Sequence, residues 1–138
     1  MITFIIGKKG SGKTKKLIER ANAAVAASKG NVVVIEKGLK LTYDVDHAAR
    51  LVDIEAYGIK GAEALFGFIS GICAGNYDVT DILVDSTLKI IGPDLNQLVP
   101  FAEKMSALAA MANTRLTFLI SADASELPES LHEFVTEV

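Results

Sequence analysis

Short apolar runs alternate along this chain with longer segments whose apolar residues recur every three or four positions. Residues 3–6, 32–36 (Val-Val-Val-Ile-Glu), 81–85 (Asp-Ile-Leu-Val-Asp) and 116–121 (Leu-Thr-Phe-Leu-Ile-Ser) read as strands. Their near-continuous apolar character suits strands buried on both faces. Residues 13–28 carry Leu17, Ile18, Ala21, Ala24 and Val25 on one helical face, and Lys29-Gly30-Asn31 ends that pattern. Residues 61–75 also read as a helix, weakened by four glycines. Gly67 and Gly71 are expected to let this helix pack closely on a sheet. Pro93 suits the first turn of a further helix, where its missing N–H costs nothing. That helix is expected to run to about residue 113, with Leu95, Leu98, Ala102, Met105, Ala109 and Ala112 facing a core. Residues 126–138 read as a closing helix with Leu131, Phe134 and Val135 inward.

Residues 37–60 fit two descriptions. Possible strands at 40–43 and 50–54 would make a β-hairpin insertion; alternatively, a loop leads into one more strand of the sheet. Strands separated by helices imply crossovers and a parallel sheet. The expected fold is therefore α/β: one domain over residues 1–138, a three-layer α/β/α sandwich with a mostly parallel sheet of four or five strands. Parallel strands end on one edge, where ligands sit. Gly7, Glu36, Asp85 and Asp123 each follow a strand and should share that rim.

Composition narrows the function classes. The chain has 138 residues, half of them apolar and 22% charged, which is the make-up of a folded domain. A mean hydropathy of +0.34 fits either a sheet buried on both faces or an apolar surface covered by a partner. The net charge is −3, and the arginines are Arg20, Arg50 and Arg115 alone, so whole-chain charge argues against nucleic-acid binding. The single cysteine, Cys73, excludes an internal disulfide and fits a reducing compartment. The apolar run at 2–6 is too short for a signal peptide. The run at 64–74 is too short to cross a bilayer, which takes roughly 20 residues. A cytoplasmic protein without membrane contact is expected.

The chemistry-bearing stretch is Gly7-Lys8-Lys9-Gly10-Ser11-Gly12-Lys13-Thr14, which fits the phosphate-loop pattern without mismatch. Its glycines let the backbone curl so that successive N–H groups face an anion. The helix beginning near Lys13 adds its positive end. Lys13 should reach the β- and γ-phosphates, and the Thr14 hydroxyl should ligate Mg²⁺. The side chains of Lys8, Lys9, Lys15 and Lys16 are expected to point to solvent. With a strand before it and a helix after it, the motif resembles that of the P-loop NTPases, and the pattern is compatible with their branch of RecA-like and related ATPases.

That superfamily carries a second signature, an apolar strand ending in an aspartate that holds the metal through water. Ile82-Leu83-Val84-Asp85 looks like it, so the resemblance gives Asp85 that role. In the RecA-like branch a glutamate activates water. Ser86 and Thr87 follow Asp85, so the adjacent position holds no glutamate. Glu36 and Glu55 are substitutes by location, each otherwise a rim charge. A polar residue such as Ser121 or Asp123 can sense the γ-phosphate by resemblance, or simply cap its loop. Arg50 is the candidate for a finger in cis; Arg20 should point away and Arg115 should lie at the opposite sheet edge. A finger could also come from a protein partner or a second copy of the chain.

His47 and His132 make no metal site, and Cys73 reads as a small hydrophobe. The implied ligands are ATP, or another nucleoside triphosphate, with Mg²⁺. The guanine-reading Asn-Lys-x-Asp segment is missing near the fourth strand, which favours ATP over GTP. Slow or partner-dependent hydrolysis is the leading expectation, a non-hydrolysing switch or assembly module the alternative, and a small kinase the third. A kinase is disfavoured because there is no arginine-rich lid, and one cysteine cannot form the zinc cluster of thymidine-kinase-like enzymes.

Overall fold

The computed structural model describes residues 1–137. Its elements in chain order are β1 (Ile2–Gly7), α1 (Lys13–Ala27), β2 (Asn31–Glu36), β3 (Arg50–Asp53), α2 (Ala62–Gly75), β4 (Val79–Val84), α3 (Thr87–Ile91), α4 (Leu98–Ala112), β5 (Arg115–Ser121) and β6 (Val135–Glu137). The strands form one sheet in the order β3-β2-β4-β5-β1-β6, and every neighbouring pair is parallel. The α/β class and the parallel sheet are as expected; the strand count is six, not four or five.

Alternation along the strands sends side chains to two faces. Ile5, Val32, Val34, Leu83 and Leu119 pack with Leu17 and Ala21 of α1. Phe4, Ile6, Val33, Ile35, Ile82, Val84 and Phe118 pack with Leu65 and Ile69 of α2 and with Leu98, Phe101 and Met105 of α4. The central strands are therefore apolar on both sides because both sides are covered. Phe118 sits at the centre of the second core, edge-on to Phe4 (ring centroids 5.9 Å apart) and to Phe101 (5.1 Å).

The structure decides between two descriptions at one place and departs from expectation at three. First, of the descriptions of residues 37–60, the loop leading into one more strand is the one found: residues 37–49 form no strand and no hairpin. Leu41, Val45 and Ala49 turn inward against the α1 side of the sheet, and β3 follows as a parallel edge strand on β2. Second, the closing segment is not an α-helix. Glu129–Phe134 is a 3-10 turn, and Val135–Glu137 pairs with Phe4–Ile6 of β1. Val135 and Thr136 are β-branched and favour an extended backbone when a strand edge is free to pair. Val138 lies outside the described residues. Third, the long helix begins at Leu98, not near Pro93. Asp94 instead caps a 3-10 turn, accepting from the Asn96 N–H at 3.0 Å, and Pro100 occupies the first turn of α4. Fourth, Gly67 and Gly71 do not mediate close packing: a Cβ added at either would meet no atom within 4 Å. No helix among the described residues is long and apolar enough to cross a membrane.

Candidate functional site

Because all strands run the same way, Gly7, Glu36, Asp53, Asp85 and Ser121 emerge on one rim. The rim opens into a cleft of about 310 Å³ lined by Lys13, Thr14, Asp85, Thr87 and Ser121, with Lys40 and Leu41 on one wall. The segment Gly7–Thr14 forms another wall. Gly10 and Gly12 have φ of +83° and +93°, the left-handed region that glycine adopts without steric cost. The Ser11 N–H donates to the Lys8 carbonyl at 3.0 Å, closing a tight turn. A Cβ on Gly7 would run into the Ser11 side chain, so the strand must end in glycine for the turn to close. Helix α1 then starts at Lys13 with no side-chain cap and no acidic residue in its first turn. Its first N–H groups and its positive end are left for something outside the helix.

Lys13 points inward. It is only 8% exposed, and its Nζ donates to the Lys8 carbonyl at 2.9 Å. Burial pushes its pKa below the ordinary lysine value, and the Asp85 carboxylate works in the opposite direction. Thr14 is exposed at the cleft, as are the side chains of Lys8, Lys9 and Lys15; Lys16 is half-buried. Asp85 is half-buried at the end of β4, and its N–H donates to the Ile35 carbonyl at 2.8 Å. Ser86, with φ of +57°, then turns the chain sharply into α3. A non-glycine residue in this region costs about 1 kcal/mol, so the turn is held by its surroundings. It carries Thr87 to a fully buried position where its Oγ1 has no hydrogen-bond partner among the described residues.

Strand neighbours bring Glu36 next to Asp85. Ile35 pairs with Val84, so the two acids follow adjacent strands. Glu36 is 1% exposed, and its two carboxylate oxygens accept from the Lys40 N–H (2.5 Å) and the Leu41 N–H (3.4 Å). Burial raises its pKa; the two hydrogen bonds oppose this, and the nearby Asp85 and Asp53 add to the rise. Asp53 ties the same loop down from β3, accepting from the Gly38 N–H at 2.9 Å and the Glu55 N–H at 3.0 Å. The cleft wall formed by Lys40 and Leu41 is thus hung on two acids from neighbouring strands.

Of the other sequence candidates, Ser121 shares the cleft and the rest do not line it. Ser121 lines the cleft from β5, the strand between β1 and β4. Asp123 turns into a capping box with Glu126, and its carboxyl is held below the usual range chiefly by the Ser125 hydroxyl at 2.6 Å. Arg50 opens β3 at the opposite end of the sheet and lines a larger cleft, about 540 Å³, with Tyr57 and Phe68. That cleft contains none of Lys13, Thr14 and Asp85, so its size does not mark the chemistry. Glu55 is exposed on the turn after β3 and lines a third cleft with Lys37, Lys60 and Lys89. Arg20 and Arg115 lie together at the strand starts, where Arg115 grips Asp81 through two hydrogen bonds of 2.9 Å.

His47 is exposed, while the His132 Nε2 lies 3.0 Å from the Ala124 carbonyl. Cys73 is half-buried, packed against the core, and burial raises its thiol pKa. Among the described residues no three His, Cys, Asp or Glu side chains converge as a metal site. Sequence reasoning missed Thr87, Asp53 and the Lys40–Leu41 wall. The Ser86-Thr87 pair beside Asp85 was the available signal for Thr87; the others depend on contacts between segments far apart in the chain. A scan of the whole chain against protein-family models finds no match, and a search of curated proteins finds no relative.

Proposed function

We propose that this chain is a P-loop protein that binds a nucleoside triphosphate with Mg²⁺, ATP rather than GTP, and hydrolyses it slowly or only with a partner. The observation that carries the reading is Lys13. Its side chain is buried at the mouth of an uncapped helix, near the Asp85 carboxylate, behind a turn shaped by Gly10 and Gly12. Burying an ammonium costs stability, and a polyphosphate would add counter-charge to that of the single carboxylate. The donor set fits a Mg²⁺ complex of the triphosphate. Thr14 and Asp85 line the same cleft, and Mg²⁺ is commonly held by one or two protein oxygens, phosphate and water. When bound, the metal would offset phosphate charge.

In this reading the N–H groups of residues 10–14 cradle the phosphates, and Lys13 moves from the Lys8 carbonyl to the β- and γ-phosphate oxygens. Thr14 and, through water, Asp85 would hold the metal. Ser121 reads the terminal phosphate. Glu36 is the favoured residue to orient and deprotonate the attacking water, because it ends the strand beside Asp85. Glu55, which lines a different cleft, is the weaker candidate.

Two observations support slow or partner-dependent turnover and keep a non-hydrolysing switch as the second reading. Both oxygens of Glu36 are already engaged by the Lys40 and Leu41 N–H groups. None of the three arginines lines the cleft, so a finger would have to come from a protein partner or a second copy. The test is phosphate release from Mg-ATP with Lys13→Ala as the blank. Release above the blank supports hydrolysis; binding without release supports the switch.

A further inference from the structure

Beside the Lys13 cleft lies a second one, of about 360 Å³, on the same sheet edge above β2 and β3. Three successive connections each send one lysine to it. Lys37 follows β2, Lys60 follows the turn after β3, and Lys89 stands on α3 after β4. Lys89 lines both clefts. Among the described residues the one salt bridge is Arg115–Asp81, so no ion pair neutralises any of these three ammonium groups. The single acid in the lining is Glu55. In a chain of net charge −3, this lining carries three positive charges against one negative. The floor is apolar, formed by Ile54, Ile90 and Ile91.

We infer that this second cleft binds a small phosphate monoester with an apolar body, taken up beside the triphosphate. Lysine binds phosphate as a compact point charge on a flexible stem, so three lysines can converge on one phosphoryl group. A net lining charge of +2 matches the dianion of a phosphate monoester better than the single charge of a carboxylate. The volume lies in the range of small-molecule sites, which combine an apolar surface with a few convergent polar groups. The site stands on its own lining; only its role beside a bound triphosphate rests on the proposed function.

The test uses the ¹⁵N-labelled full chain with a saturating Mg-bound non-hydrolysable ATP analogue, titrated with phenyl phosphate and, separately, phenol and benzoate. Phenyl phosphate should move the amide signals of residues 54–60 and 89–92. The double variant Lys60→Ala/Lys89→Ala should weaken it by at least about tenfold, roughly 1.4 kcal/mol. Both lysines are exposed, and the same spectra report whether the variant is folded. Equal shifts with phenol would overturn the inference, as would tighter binding of benzoate. So would no shift up to about 10 mM phenyl phosphate, the millimolar range being the weakest binding worth assigning, or shifts confined to residues 7–14. Absence of analogue-induced shifts at residues 10–14 would instead count against the proposed function. Shifts at 54–60 with phenyl phosphate would support this site even then.

Discussion

Lys13 is under two opposed demands. Its buried ammonium works against folding, and the same burial readies it for a polyanion. Its folded pKa lies below the ordinary value, so the unfolded chain binds the extra proton between the two values. The charged lysine therefore costs stability at all pH below its folded pKa, and the cost fades as pH rises through that value. Lys13→Met should thus melt at the same temperature as wild type or a few degrees higher at neutral pH, by calorimetry. It should also lose triphosphate affinity by about 100-fold or more, roughly 2.7 kcal/mol. A clear loss of stability would contradict the desolvation argument. Gly7→Ala drives a methyl into the Ser11 side chain, and overpacking of this kind costs about 1–3 kcal/mol. It should weaken triphosphate binding, with amide shifts in residues 7–14 of the free protein. That Lys13, Thr14 and Asp85 share one cleft was legible in the sequence, because the glycine turn and the strand ends are local patterns. Thr87 was not, because the burial of its hydroxyl depends on how α3 packs. Arg50 lies away from the cleft because it opens a parallel strand; the pattern placed it at the strand's start but left open whether that strand belonged to a hairpin or to the parallel sheet.

The loop from residue 37 to 41 joins the site to the sheet. Glu36 and Asp53 hold it by its backbone, so its position does not depend on its own side chains. If Glu36 activates water, it uses the lone pairs these bonds leave free or first breaks them. Glu36→Gln should then keep triphosphate affinity and lose most phosphate release; unchanged release would remove Glu36 from the mechanism. Its raised pKa gives the sign of two pH effects. Deprotonation is needed for activity, so phosphate release should climb with pH through a value above the usual carboxylate range. Conversely, the stability gained from the folded state's retained proton is full below the unfolded pKa of about 4.3 and lost as pH rises through the folded one. Glu36→Gln should flatten that part of the stability profile, measured by urea melts across acidic pH. Apolar patterning identified β1, β2, β4 and β5 because those strands are buried on both faces. It failed at residues 135–137, where three positions are too few to show a period and the free edge of β1 decides. It also failed at Gly67 and Gly71, since spacing cannot say whether a glycine meets a neighbour or open space.

At the scale of the whole molecule, the two ends of the sheet differ in purpose. The strand-start edge is tied by Arg115 and Asp81, which join β5 to β4. The strand-end edge carries Lys13, Glu36, Asp85 and the lysine-rimmed cleft. Asp81→Ala should lower stability by about 1 kcal/mol, a modest value because the arginine is largely exposed and solvent screens the pair. It should leave triphosphate affinity unchanged, as measured on the same samples; a large fall in affinity would contradict this division. The parallel sheet was legible because strands and helices alternate. Its sixth strand and its order were not, since pairing is settled by contacts between distant segments. The most direct test of the account is calorimetric titration of wild type and Lys13→Ala with Mg-ATP at millimolar concentration. The account predicts saturable heat at one site per chain, lost in the variant. No heat from the wild type, or equal binding by the variant, would contradict it.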